Sequence, residues 1–280
     1  MGGQFPDVFH LALFSLGKIG VTGFMFISGF FGIKFKIKSF FMLIFICFFY
    51  VILLSMGRGF AHLPLFYSDW WFIESYLFVM LFAPAIELSF QYLEKKTLLI
   101  IGALFYYSYI GRFFQVQNSH DFIMLMTIYV LARFIAKNSI RIKYIGSFVV
   151  LISLLAIVLF TPVLLALAGL SYRYFCLWFQ NNNVFYLLLS VSLVLFCKTH
   201  AIYSKTINWF STGVLAIYLL TDNSFVRNPL DHYLFKKILS FDGYIYIILL
   251  CILCLLIDKI RHYMFLGVER SYRSLINRYK

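Results

Sequence analysis

Leu13–Phe31 reads LFSLGKIGVTGFMFISGFF, and the fold class follows from how that stretch is read. It is long and apolar enough to cross a membrane, yet it carries Lys18 within it. A cation at that depth costs roughly 2.5–3.5 kcal/mol on insertion scales, so Lys18 needs a partner or a water-filled cavity. Lys18, Thr22, Met25, Gly29 and Gly32 recur at helical spacing and share one face. That face is small or polar, whereas the others carry Phe, Leu, Ile and Val. The pattern predicts a membrane helix turned toward a bundle interior. A plainer reading has Lys18 snorkelling to the nearer surface while the glycines only let helices approach.

Composition extends the membrane reading to the whole chain. Hydrophobic residues make up 62% and charged residues 12% of the 280 positions, where a soluble domain carries about 25% charged residues. With 35 Phe and 20 Tyr, no soluble fold of this length hides the apolar surface. The expectation is an all-α polytopic membrane protein, a single domain over 1–280 with no room for a second globular one. The opening MGGQFPDVF lacks the basic region of a cleaved signal peptide, and Pro6 stands where myristoylation wants Ser or Thr. The five cysteines form no framework. Cys251 and Cys254 lie inside an apolar run, where packed or lipid-facing thiols are the expectation rather than metal ligands.

Apolar runs predict about nine transmembrane helices, near 10–33, 39–55, 72–93, 97–111, 121–137, 145–169, 183–198, 206–222 and 243–258. Alternate loops differ in charge. One set holds Lys34, Lys36 and Lys38; Lys95 and Lys96; Arg133, Lys137, Arg141 and Lys143; Lys198 and Lys205; and the basic tail 259–280. The other holds only Arg58, Arg112, Arg173, Arg227, Lys236 and Lys237. The net charge of +13 therefore marks topology rather than nucleic acid, and the positive-inside rule puts the first set and the C-terminus in the cytoplasm. Nine spans then send the N-terminus outward, which a further helix ahead of residue 1 would reverse. On the outer side, Leu230, Leu234 and Ile238 predict a surface-lying amphipathic helix within 223–242. Asn181–Asn183 predicts an outer turn, and Pro162 a kink in the sixth span.

Ionisable residues in or beside the spans are few: Lys18, Glu74, Glu87, Arg133 and Asp222, with Arg58 and Arg112 at outer ends. Lys18, Glu74 and Asp222 could line one cavity, where opposite charges offset each other's desolvation; alternatively, Glu74 and Asp222 are solvated at the outer interface. Glu87 and Arg133 read as snorkelling or paired structural residues. The six histidines form no metal-ligand or triad pattern, so no metal is expected. The inner lysines, with Arg133, Lys137, Arg141 and Lys143, could hold the phosphates of a soluble cofactor, or only set topology and meet anionic lipid.

Three stretches resemble the membrane-bound acyltransferase family 3, bacterial O-acyltransferases of surface polysaccharides. Gly17-Lys18-Ile19-Gly20-Val21 with Phe26-Ile27-Ser28-Gly29-Phe30-Phe31, followed by Lys34–Lys38, is similar to the family's second helix. Trp71-Phe72-Ile73, Tyr76-Leu77 and Pro84 resemble its WFI…YL…LSP helix. Ile207–Ser211 with Ile217–Asn223 resembles the late helix ending in YLI-His-Asp-Asn, with Thr221 at the His position. The resemblance implies an acyltransferase in the bacterial cytoplasmic membrane. It would move an acyl group, acetyl above all, from acyl-CoA to a hydroxyl of a polysaccharide or lipid-linked sugar. It further implies that Lys36 and Lys38 meet cofactor phosphates, that Lys18, Ser28, Glu74 and Asp222 line the site, and that an Arg and the catalytic His stand on a helix preceding residue 1. The alternatives are a catalytically inactive truncated relative, or a polysaccharide polymerase or flippase.

Overall fold

Long apolar runs satisfy their backbone groups internally only as helices when water is excluded, and helices are what form. The computed structural model describes residues 8–57, 70–92, 94–111, 122–137, 147–170, 172–200, 203–237 and 241–278; the side chains of 8–11, 13–14, 94–98, 111, 172–173, 231–237, 241 and 268–278 are outside the description. In order the helices are α1 (Val8–Phe31), α2 (Ile37–Gly57), α3 (Trp71–Tyr92), α4 (Glu94–Phe105) with a π-helical turn at Tyr106–Gly111, α5 (Phe122–Lys137), α6 (Phe148–Leu167) and α7 (Tyr172–Trp178). They continue with α8 (Val184–Thr199), α9 (Lys205–Ser211), α10 (Val214–Thr221), α11 (Ser224–Lys237) and α12 (Phe241–Arg278). No strand occurs among the described residues.

Four helices among the described residues are long and apolar enough to cross a membrane: Ile37–Met56, Trp71–Tyr92, Phe148–Leu167 and Asp242–Gly267. The apolar segments Ser15–Phe31, Leu99–Ile110 and Val184–Thr199 are shorter. The all-helical chain is thus a membrane-embedded protein, with four such helices where nine spans were expected. One physical reason is plain in the expected eighth span. It breaks at Thr212-Gly213, where Gly213 takes the N-cap of α10 and leaves α9 as a separate short helix. The expected sixth span runs unbroken through Pro162, which is buried. The helix of the ninth span continues past 258, so that α12 carries on to Arg278. Residues 224–237 are helical as expected, with Leu230 buried; Ile238 and the side chain of Leu234 lie outside the described residues.

Contacts group the chain into two interleaved units, Met1–Phe40 with Trp71–Ile202 and Phe41–Trp70 with Tyr203–Lys280. In the first unit, α1 is the central helix and packs on α5, α6 and α8, while α3 and α4 pack on α5 and α6 packs on α8. Thr22, Met25, Phe26, Gly29 and Phe30 are buried, whereas Phe24, Ile27 and Phe31 are exposed. The small face of α1 is what allows this. A Cβ on Gly29 would stand 2.7 Å from both the Tyr129 carbonyl oxygen and Ala132 Cβ of α5. Across α8, the Thr22 and Ser190 hydroxyls lie 2.6 Å apart, and Ser190 donates to the Tyr186 carbonyl at 2.8 Å. Val158, Tyr186 and Leu189 close the contact of α6 and α8, with Ile19 of α1 against them. The outer faces remain oily, as in Phe148, Val149, Phe160 and Leu164 of α6, which fits a lipid surround.

In the second unit, α10 packs on α12 and α11. Gly213 lies against Leu255, so a methyl group there would run into that buried side chain. Gly213→Ala should therefore cost about 1–3 kcal/mol, the range for overpacking a filled core. A thermal melt in detergent should show the loss, and Leu255→Ala in the same background should return part of it. Equal melting of wild type and Gly213→Ala would contradict this packing. Cys254 of the same helix is buried and Cys251 half-buried, both as free thiols.

Candidate functional site

The first unit collects charge where α1 ends. Gly32 turns the chain out of α1 at φ +78°, a conformation that favours glycine. Against that turn lies Arg133 of α5. Its Nη1 donates to the Phe30 carbonyl at 3.3 Å, satisfying a helix-end acceptor and placing a cation at the negative end of the α1 dipole. The same guanidinium grips Glu87 of α3 in a fork, Nε to Oε1 and Nη2 to Oε2 at 3.0 Å. Lys137 adds a second cation, Nζ to Glu87 Oε2 at 2.9 Å. Ile33 N–H donates to the Tyr129 hydroxyl at 3.3 Å. From α8, Lys198 Nζ stands 4.9 Å from the centre of the Phe30 ring. Two cations thus hold one carboxylate while a third lies over the Phe30 ring, and the connection into α2 adds Lys34, Lys36 and Lys38, all exposed. Of the two readings the sequence leaves open for Glu87 and Arg133, snorkelling or pairing, the structure shows the pair.

Along α1, Lys18 is half-buried one turn before Thr22. Ser28 is half-buried on the same helix, and the Phe24 ring packs edge-on to Phe72 and Tyr76 of α3, each at 5.5 Å between centroids. The first two family-like stretches therefore touch one another. Glu74 is half-buried in the first turn of α3. Asp222 belongs to the second unit, at the C-cap of α10, where Arg227 Nη1 meets its Oδ1 at 3.2 Å. Thr221, at the position of the family's His, donates to the Ile217 carbonyl of its own helix at 2.7 Å.

Two polar groupings escaped the sequence reading. In the second unit, Asp258 of α12 is 6% exposed, yet its Oδ1 accepts from the Tyr50 hydroxyl at 3.0 Å and from Arg261 Nε at 2.9 Å. Arg261, counted from the sequence among the tail cations, is 8% exposed and stacks over Phe265. The signal was the Asp–Arg pair three residues apart, which places both on one helix face. In the first unit, Asn181–Asn183 forms a turn as expected, but Gln180 and all three asparagines are buried rather than displayed at a surface. Asn182 Nδ2 donates to the Ser108 carbonyl at 3.1 Å and Asn183 Nδ2 to the Trp178 carbonyl at 2.9 Å.

Among the described residues, no group of three or more His, Cys, Asp or Glu is placed to hold a metal ion. The chain matches no protein-family model, no curated protein and no solved structure.

Proposed function

We propose that this chain is a membrane O-acyltransferase-like protein of the bacterial cytoplasmic membrane. It would transfer an acyl group, acetyl in the simplest case, from acyl-CoA to a hydroxyl of a polysaccharide or lipid-linked sugar. The observation that carries the reading is the cationic end of α1, where Arg133 and Lys198 meet Phe30 and Arg133 and Lys137 meet the single carboxylate of Glu87. Exposed Lys36 and Lys38 follow directly in the chain and would hold donor phosphates, which a surplus of fixed positive charge attracts. On the interior face of the same helix, Lys18 would stabilise the charge that develops on the acyl oxygen as the acceptor hydroxyl attacks. Ser28 and Glu74 would position the acceptor from the contact of α1 and α3. The proton leaves the hydroxyl to a general base, and coenzyme A departs as its thiol. In this reading the shorter helices also cross, to a total of nine, with α12 ending in the cytoplasm.

The test is acetyl transfer from labelled acetyl-CoA to endogenous polysaccharide in inverted vesicles, wild type against Lys18→Ala. Loss of a transition-state charge partner lowers the rate by about 10²–10³-fold. Transfer at the wild-type rate in Lys18→Ala removes that residue from the site, and absence of transfer in both removes the reading.

A further inference from the structure

We infer that the first unit holds a second, uncharged site, built where the π-helical turn Tyr106–Gly111 meets the Gln180–Asn183 turn, and that it takes a neutral, hydroxyl-rich ligand of the sugar class. A hydrogen-bonded path ties the two turns together. The Asn182 amide donates to the Ser108 carbonyl inside the π-turn at 3.1 Å, and the Ser108 hydroxyl lies 3.0 Å from that of Thr127. The neighbouring Asn183 amide donates to the Trp178 carbonyl at 2.9 Å. A π-helical turn is rare and is frequently found at functional sites.

Three polar atoms on this path are buried without a hydrogen-bond partner: Tyr109 Oη, Trp178 Nε1 and Asn182 Oδ1. Their residues are 1%, 9% and 3% exposed. Folded proteins pair the large majority of buried polar atoms, so three orphans on one short path call for an occupant. Their chemistry narrows what that occupant is. Indole N–H only donates, the amide oxygen only accepts, and the phenol does both. A hydroxyl, with one proton to give and two lone pairs, can answer each of the three. Neither turn contributes a charged side chain among the described residues, which favours neither anion nor cation. Aromatic faces accompany the polar atoms, since Tyr109 stacks on Phe105 at 4.9 Å and Trp178 packs on Tyr186 at 6.1 Å. Aromatic surface beside a few polar groups is the make-up of a small-molecule pocket. The site shares no residue with the cationic end of α1 and does not depend on acyl transfer.

The test uses the whole protein in a zwitterionic detergent, because a glycoside detergent would compete. The probes are methyl glucoside, methyl galactoside, methyl mannoside and sorbitol, with inorganic phosphate as the charged control. At least one neutral probe should raise the melting temperature saturably and quench tryptophan fluorescence. Tyr109→Phe and Asn182→Leu should weaken that binding at least tenfold. Without probe, Tyr109→Phe should melt above wild type, because it deletes a buried hydroxyl that has no partner. This last reading holds even if Asn182→Leu, which also loses its bond to Ser108, fails to fold. The inference is overturned if no neutral probe binds saturably, if phosphate acts equally, if binding survives Tyr109→Phe unchanged, or if Tyr109→Phe melts below wild type, which would mean that interior water already satisfies the hydroxyl.

Discussion

Asp258→Ala should be among the most damaging single substitutions in the chain. It removes the carboxylate that neutralises Arg261, which is 8% exposed and has its guanidinium 2.8 Å from Asp258 through Nη2. It also takes the acceptor from the Tyr50 hydroxyl, on a side chain with no exposure. Breaking a buried pair by deleting one partner costs about 3–5 kcal/mol, because the survivor remains charged in a poor solvent. That is a large part of the roughly 5–15 kcal/mol that separates folded from unfolded states of an ordinary domain. Thermal unfolding in detergent should show a large drop for Asp258→Ala and a smaller one for Asp258→Asn, which keeps an acceptor for Tyr50. The double variant Asp258→Leu with Arg261→Met should recover most of the loss, since a well-packed apolar pair replaces a buried ion pair at little net cost. If Asp258→Ala melts with the wild type, Arg261 has another route to solvent or charge and the buried pair is not what holds α2 and α12.

Gly29→Leu should have a comparable effect for a steric reason. The atoms a Cβ would meet at 2.7 Å are a backbone carbonyl and a Cβ, neither of which can swing aside. Even Gly29→Ala must push α1 and α5 apart, with a cost of about 1–3 kcal/mol from overpacking, and leucine must exceed it. Separation would also stretch the Arg133 bond to the Phe30 carbonyl and the Ile33 bond to Tyr129. The same helix provides the control. Nothing lies within 4 Å of a Cβ added at Gly20, so Gly20→Ala should be neutral or should stabilise by about 0.5–1 kcal/mol, the helix-interior difference between the two residues. Yield of folded protein and melting temperature should separate the two glycines clearly; equal behaviour would contradict the α1–α5 contact.

How far the sequence could be read depended on whether the signal was local. The interior face of α1 was legible because Thr22, Met25 and Gly29 follow one helical period and are buried, and a small-residue face needs a close neighbour. The membrane class was legible from composition alone. The break at Thr212-Gly213 was less so, because averaging apolarity over 206–222 hides a glycine N-cap that lies against Leu255. The expected ninth span stops at 258 and leaves Arg261 in the basic tail; only the Tyr50 hydroxyl on a distant helix shows that Asp258 turns inward. The asparagine run was assigned to a turn on local preference, correctly, but its burial follows from the π-turn carbonyl that receives Asn182, a partner 74 residues away in sequence. Lys18 and Glu74 sit on the helices expected of them, while Asp222 finds its partner in Arg227 of its own unit, a pairing that Asp222 alone does not announce.

The central functional claim is that the cationic end of α1 receives the phosphates of an acyl donor. Equilibrium binding of labelled acetyl-CoA to the purified protein tests it without needing the acceptor or the base. The account predicts saturable binding that weakens as salt rises and falls at least tenfold when Lys34, Lys36 and Lys38 are all changed to Gln, with the melting temperature unchanged because all three side chains are exposed. Absence of saturable binding, or binding indifferent both to salt and to loss of the three lysines, would contradict it.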